Sequence, residues 1–249
     1  MCVKRDDLFG VTPFPPLAKL RGLKVLVDRL YAEGVRLIGC WDTRVSRLGL
    51  GLAVYTQNFS GLKSVISYPT KRGVPEPEHV AQARALGADV YPVAGGRITI
   101  SFSAARKYVE SRGGVMLPFG LECQEAIQAV KAEAALFPKE LLPNSALILS
   151  CGSGVTLTGL VAGLPQLPNR IVGISSGRSP ANILSCIERN LGAIPKCVKI
   201  HKAEVPYSFP LFFPCPFPAN PYYDLKAWKF MVDHMKQYRQ RIIFWNIGA

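Results

Sequence analysis

The sequence predicts an α/β fold built on parallel sheets, and two observations carry that expectation. Short apolar runs alternate along the chain with stretches of helical spacing, the pattern of β–α–β units. Two of the runs, Ser145–Ser150 (SALILS) and Arg170–Ser175 (RIVGIS), are continuously apolar rather than alternating, as expected of strands covered on both faces.

The elements follow in order. A helix over Leu23–Glu33 leads to a strand at Gly34–Gly39, and Lys63–Ser67 (KSVIS) is a second strand. Glu76–Leu86 reads as a helix, Gly87–Tyr91 as a turn into a strand, Ser101–Arg112 as a helix and Gly114–Leu117 as extended chain. The helix Glu122–Leu136 precedes the strand Ser145–Ser150, and a helical run, Leu157–Ala162, follows it. Six prolines between Val205 and Pro221 forbid regular structure there. Asp224–Tyr238 is then helical and Arg241–Trp245 a last strand.

With 249 residues, 49% of them hydrophobic, the chain can build one large domain or two small ones. No apolar run approaches the roughly 18 residues of a membrane span. The charged start, Met1 to Asp7, lacks a signal core, so a cytoplasmic location is expected. The seven cysteines are scattered without a C-x-x-C pair, which argues against zinc or a disulfide framework. Thirty Lys and Arg against 17 Asp and Glu give a formal charge of +13, which suits a polyanionic partner. The basic residues are spread along the chain rather than collected in an arm.

The most informative segment is Ser150-Cys151-Gly152-Ser153-Gly154-Val155-Thr156, between a buried strand and a helix. Backbone N–H groups at a helix N-terminus and the helix dipole together hold a phosphate. The glycines permit close approach, and Ser153 and Thr156 add hydroxyls. The loop is neither a nucleotide P-loop nor a complete dinucleotide fingerprint, since Leu157 stands where a third glycine would be.

Seven segments, in order, resemble the fold-type II pyridoxal 5′-phosphate (PLP) enzymes, in the branch of 1-aminocyclopropane-1-carboxylate deaminase and D-cysteine desulfhydrase. Lys4-Arg5-Asp6-Asp7-Leu8 matches that branch's K-R-D-D-L, and Ala18 to Leu23 occupies the place of N-K-x-R-x-L. Asp42 to Arg47 stands for Q-S-N-H-x-R, and Pro118 to Glu122 for P-x-G-G-S. Gly152 to Thr156 matches G-S-G-G-T, Tyr223 to Ala227 resembles Y-T-G-K-A, and Phe244 to Ala249 resembles F-x-H-T-G-G.

The resemblance implies two parallel-sheet α/β domains of the tryptophan synthase β-like kind, with PLP in the cleft. The small domain is expected at residues 22–117, and the large PLP-binding domain at 1–21 plus 118–249. Lys19 would form the Schiff base, which requires a neutral amine, and could shuttle the α-proton. Gly152, Ser153, Gly154, Val155 and Thr156 would hold the phosphate. Thr43 would replace the family's serine hydroxyl, and Arg44 and Arg47 would meet the substrate's acid group or a phosphate. Tyr223 would lie near the substrate. The terminal threonine that faces the pyridine nitrogen in the family is Ile247 here, which leaves Asn246 as the polar neighbour.

Three functions follow from these matches and departures. The first is an enzyme on a free small amino acid: a deaminase, desulfhydrase, racemase or β-eliminating lyase. The second acts at the α-carbon of an amino-acid group carried on thymine in phage DNA, by decarboxylation or isomerisation, as in the phage thymine-hypermodification pathways whose PLP enzymes resemble this branch. Its place would be the host cytoplasm. The third is a non-catalytic relic that binds PLP or nucleic acid. A homodimer is expected by resemblance. The changed substrate segment and the basic composition favour the second function.

Overall fold

A computed structural model describes residues 1–10 and 13–248. It divides the chain into two compact units. The first comprises Met1–Phe9, Pro16–Gly22 and Glu122–Ala249; the second comprises Gly10–Pro15 and Leu23–Leu121. The sequence placed the second crossing at 117/118 and assigned residues 10–15 to the other unit.

In the first unit, β1 (Cys2–Arg5), β9 (Arg241–Asn246), β6 (Ser145–Cys151), β7 (Arg170–Ser175) and β8 (Val198–Lys202) form an all-parallel sheet in the order β1-β9-β6-β7-β8. Side chains of β6 alternate between two cores. Leu147 and Leu149 pack with residues of α5 (Gln124–Ala135), α6 (Val155–Gly163) and α7 (Pro180–Leu191). Ile148 packs on the other side with Ala227, Trp228 and Met231 of α8 (Asp224–His234). Both faces are covered, which is why SALILS carries no polar alternation. Residues 203–220 hold no helix or strand, in keeping with their prolines.

In the second unit, β4 (Asp89–Ala94), β3 (Lys63–Thr70), β2 (Leu37–Trp41) and β5 (Val115–Met116) form a parallel sheet in the order β4-β3-β2-β5. Its helices are α2 (Leu48–Thr56), α3 (Glu78–Ala85) and α4 (Ile98–Glu110), with most of α1 (Leu20–Ala32).

Three elements go beyond the sequence expectation. α2 (LGLGLAVYT) is apolar all round and holds two glycines, so it shows no amphipathic period, and most of it is buried. α7 carries both an apolar stripe, with Ile183, Cys186 and Ile187 buried, and caps: Ser179 accepts from the amide of Asn182, Pro180 opens the first turn, and Gly192 ends it in a left-handed conformation. β8 (VKIHK) lies at a sheet edge, where its lysines suit an unpaired flank. No helix among the described residues is long and apolar enough to cross a membrane.

Candidate active site

The carboxyl edge of the first unit's sheet collects most of the groups the sequence singled out. Ligands of parallel α/β sheets bind at this edge, because there the chain leaves each strand for a helix N-terminus. β6 ends at Cys151, the chain turns through Gly152 to Gly154, and α6 begins at Val155. Gly154 has φ +96, and a Cβ there would lie 2.9 Å from Cβ of Cys186 and 3.2 Å from the carbonyl of Ile183. Only glycine fits both the backbone and the space. The first N–H groups of α6 have no intrahelical acceptor, and Gly154 has no side chain to cap them. Over Gly152 a Cβ would meet nothing within 4 Å, so the turn is open above its backbone. Arg178 steadies the turn, donating from Nη1 to the Ser153 carbonyl at 3.5 Å and to Glu122 at 3.3 Å.

Lys19 reaches the same edge by backbone pairing. The amide of Ala18 donates to the carbonyl of Ile247 at 2.9 Å, and Leu17 bridges Gly248 in antiparallel fashion. Lys19, half-buried, thus sits beside the chain that leaves β9, just before α1. Buried carboxylates fix this arrangement. Asp6 accepts from Arg21 at 2.8 Å and from the indole of Trp245 at 3.0 Å. Asp7 accepts from Arg5 at 2.6 Å and from Asn246 Nδ2 at 2.9 Å. The K-R-D-D segment is therefore scaffolding: it ties the turn holding Lys19 to the end of β9.

Asn246, the last residue of β9, is fully buried. Its Nδ2 donates to Asp7 and to the carbonyl of Pro218 (3.0 Å), which leaves Oδ1 without a hydrogen-bond partner. Tyr223 stands at the N-cap position of α8 without a side-chain capping bond, and a Cβ on Gly248 would lie 2.9 Å from its ring.

The sequence reading missed Asp224. Its carboxyl is wholly buried, and Oδ1 accepts from Ser150 Oγ at 3.0 Å and from the amide of Ile247 at 3.2 Å. Oδ2 has no hydrogen-bond partner and lies where a Cβ on Gly248 would come within 3.2 Å. Burial pushes this carboxyl well above the usual aspartate range; the Ile247 amide and Ser150 pull the other way, and Asp7 adds repulsion. An acid opening a helix ordinarily reads as a solvated dipole partner, so the sequence held no sign of its burial.

Thr43, Arg44 and Arg47 belong to the second unit, just past the carboxyl end of β2. Thr43 Oγ1 accepts from the amides of Val45 and Ser46, at 3.4 and 3.1 Å. Arg44 Nη2 donates to the carbonyl of Pro75 at 2.5 Å, and Arg47 is exposed beside His79, whose Nε2 is buried without a hydrogen-bond partner.

Residues 18–194 match the family described as pyridoxal-phosphate dependent enzyme. The chain belongs to that family. It is 30% identical, over 99% of its length and 93% of the relative's, to the glycyl-dTMP PLP-dependent decarboxylase of Pseudomonas phage M6. Among solved structures it is similar to an ACC deaminase homologue, with TM-score 0.77, 18% identity, and coverage of 99% of this chain and 83% of that one. It is also similar to a hydrogen sulfide-producing enzyme of Fusobacterium nucleatum, with TM-score 0.65, 16% identity, and coverage of 94% and 84%. These likenesses place the fold among the fold-type II PLP enzymes.

The residues present fit the cofactor. An uncapped helix N-terminus behind a glycine turn suits its phosphate. Buried polar oxygens without hydrogen-bond partners, Asp224 Oδ2 and Asn246 Oδ1, mark the same sheet edge and are costly unless a bound group or a proton meets them. Gly154→Ala in this PLP enzyme should cost about 1–3 kcal/mol from backbone strain and displace the turn from Cys186. Thermal unfolding together with the cofactor dissociation constant checks this, and both should worsen.

Proposed function

We propose that this PLP-dependent enzyme is a lyase that removes the carboxylate from the α-carbon of an amino-acid group carried on a thymine nucleotide, free or within DNA. The observation that carries the reading is the relationship to the phage glycyl-dTMP decarboxylase over almost the full length of both chains. The formal charge of +13 supports a phosphate-bearing substrate.

Lys19 would bind the cofactor covalently, and the amides of Gly152 to Thr156 would take its phosphate. When bound, the cofactor supplies an electron sink for the pair left as the C–C bond to the carboxylate breaks. Lys19 Nζ, once released, would deliver to the α-carbon the proton that replaces the departing CO2. Asp224 would hold charge or a proton at the cofactor's ring, with Ser150 and the Ile247 amide fixing its orientation. Tyr223 would bound the substrate beside Gly248.

The test is CO2 release from a thymine nucleotide bearing a glycyl group and from DNA containing it, set against a panel of free amino acids. Release from the nucleotide or the DNA, with little from free amino acids, supports the reading; turnover of free amino acids alone refutes it. If DNA is the carrier, log affinity should fall by roughly 0.7–0.9 per phosphate neutralised for each log unit of salt, and the double variant Arg44→Ala/Arg47→Ala should flatten that slope. Fluorescence anisotropy across a salt series reads it.

A further inference from the structure

Helix α2 starts just past the carboxyl end of β2, where the free amides of a helix N-terminus ordinarily receive an anion. In this chain the first two amides of α2, those of Leu48 and Gly49, already have side-chain acceptors, as do two amides of the loop before it. Thr43 Oγ1 takes the amides of Val45 and Ser46, as described above. Ser46 Oγ accepts from the amide of Leu48 at 3.4 Å, and Asp42 Oδ2 accepts from the amide of Gly49 at 2.8 Å. Asp42 is 1% exposed, so its carboxyl is part of the interior. Gly49 is what admits it: a Cβ there would lie 2.9 Å from Asp42 Oδ2 and 2.6 Å from Ile66.

We infer that Asp42 is a specificity-determining residue that fills the N-terminus of α2 with the chain's own acid group and so excludes a ligand's carboxylate from it. The two sheets treat their carboxyl edges in opposite ways. α6 opens on a glycine that leaves its first amides uncapped. α2 opens on a loop whose hydroxyls and carboxyl take the amides of Val45, Ser46, Leu48 and Gly49. A carboxylate arriving at α2 would have to displace these bonds.

The inference deepens the proposed function and rests on it for the reaction. In a decarboxylation the negative charge leaves the carboxylate as the C–C bond breaks. Donors that grip that carboxylate would stabilise the reactant more than the transition state. A reaction that keeps the carboxylate, such as a deamination, suffers no such loss from an amide cradle. The self-capped loop therefore suits a substrate whose carboxylate must depart.

The test is an NMR titration of the 15N-labelled holoenzyme with acetate, followed at the amides of Ser46, Leu48 and Gly49. In the wild type these amides should show no saturable shift. In Asp42→Ala, or in Asp42→Ser if the alanine variant fails to fold, the Gly49 amide loses its acceptor and should shift saturably. Saturable shifts in the wild type, or silence in a folded variant, overturn the inference. Failure here with CO2 release from the thymine substrate intact removes the role of Asp42 alone. Silent amides with no CO2 release leave that role standing and remove the decarboxylase reading.

Discussion

Lys19→Ala should abolish covalent retention of the cofactor. Borohydride reduction of the wild type, followed by proteolysis, should fix the cofactor's mass on the peptide holding Lys19, and the variant should yield no such peptide. CO2 release should fall on the order of 10²–10⁴-fold, the range for losing a positioned proton-transfer group. The rivals are separated by their surroundings. Lys4 is held against the carboxylate of Glu133. The ammonium of Lys24 lies over the rings of Phe14 and Tyr55, at 4.5 and 5.7 Å. Lys226 is the chemically credible competitor, since burial draws its pKa down to about 8. Its Nζ, however, donates to the carbonyl of Pro206 at 2.8 Å, in a pocket with Glu204, Asp233 and His234, away from the glycine turn. Trapping that persists in Lys19→Ala and maps to Lys226 would move the cofactor to that pocket.

What the sequence made legible was whatever depends on local pattern. The buried strands Ser145–Cys151 and Arg170–Ser175 sit within a residue of their expected bounds, because a doubly covered strand writes its burial into every position. The glycine turn was legible because strand, glycines and helix follow one another directly. α2 was not, because a helix buried on all sides has no polar face to reveal its period. The capping of its N-terminus escaped for another reason: Asp42 and Gly49 are seven residues apart, and only the fold brings carboxyl to amide. The K-R-D-D segment matched the family by letter, yet its work, Asp6 with Arg21 and Trp245 and Asp7 with Asn246, spans up to 239 residues of chain. Asp224 is the sharpest case. The family match placed a threonine at its position, and the expected loss of the terminal threonine to Ile247 suggested a ring nitrogen facing only Asn246. The structure puts a buried carboxyl at the same end of β9, oriented by the amide of that same Ile247.

Asp224→Asn is therefore the second substitution of large expected effect. The folded protein holds this carboxyl at a raised pKa, with burial the main cause. Between the ordinary aspartate value and that raised one, the folded cofactor-free chain keeps a proton that the unfolded chain has released. Its contribution to stability is thus fully present below about pH 4 and is lost as the pH rises through the folded value. Asparagine keeps the acceptor for Ser150 and Ile247 but does not titrate. The stability of the cofactor-free wild type should consequently decline relative to Asp224→Asn as the pH is raised across this window. A cofactor ring that brings a positive charge to Oδ2 reverses the penalty, because the ionised carboxylate then has a partner. Adding the cofactor near neutral pH should raise the melting temperature of the wild type more than that of the variant. Asp224 would hold a proton on such a ring and so strengthen the electron sink the cofactor supplies, and the variant should lose on the order of 10²–10³-fold in CO2 release and shift the absorbance of the bound cofactor. Thermal unfolding against pH, with and without cofactor, separates this role from simple packing. Parallel pH profiles and equal cofactor stabilisation in wild type and variant would leave Asp224 as nothing more than a hydrogen-bonded link between α8 and the end of β9.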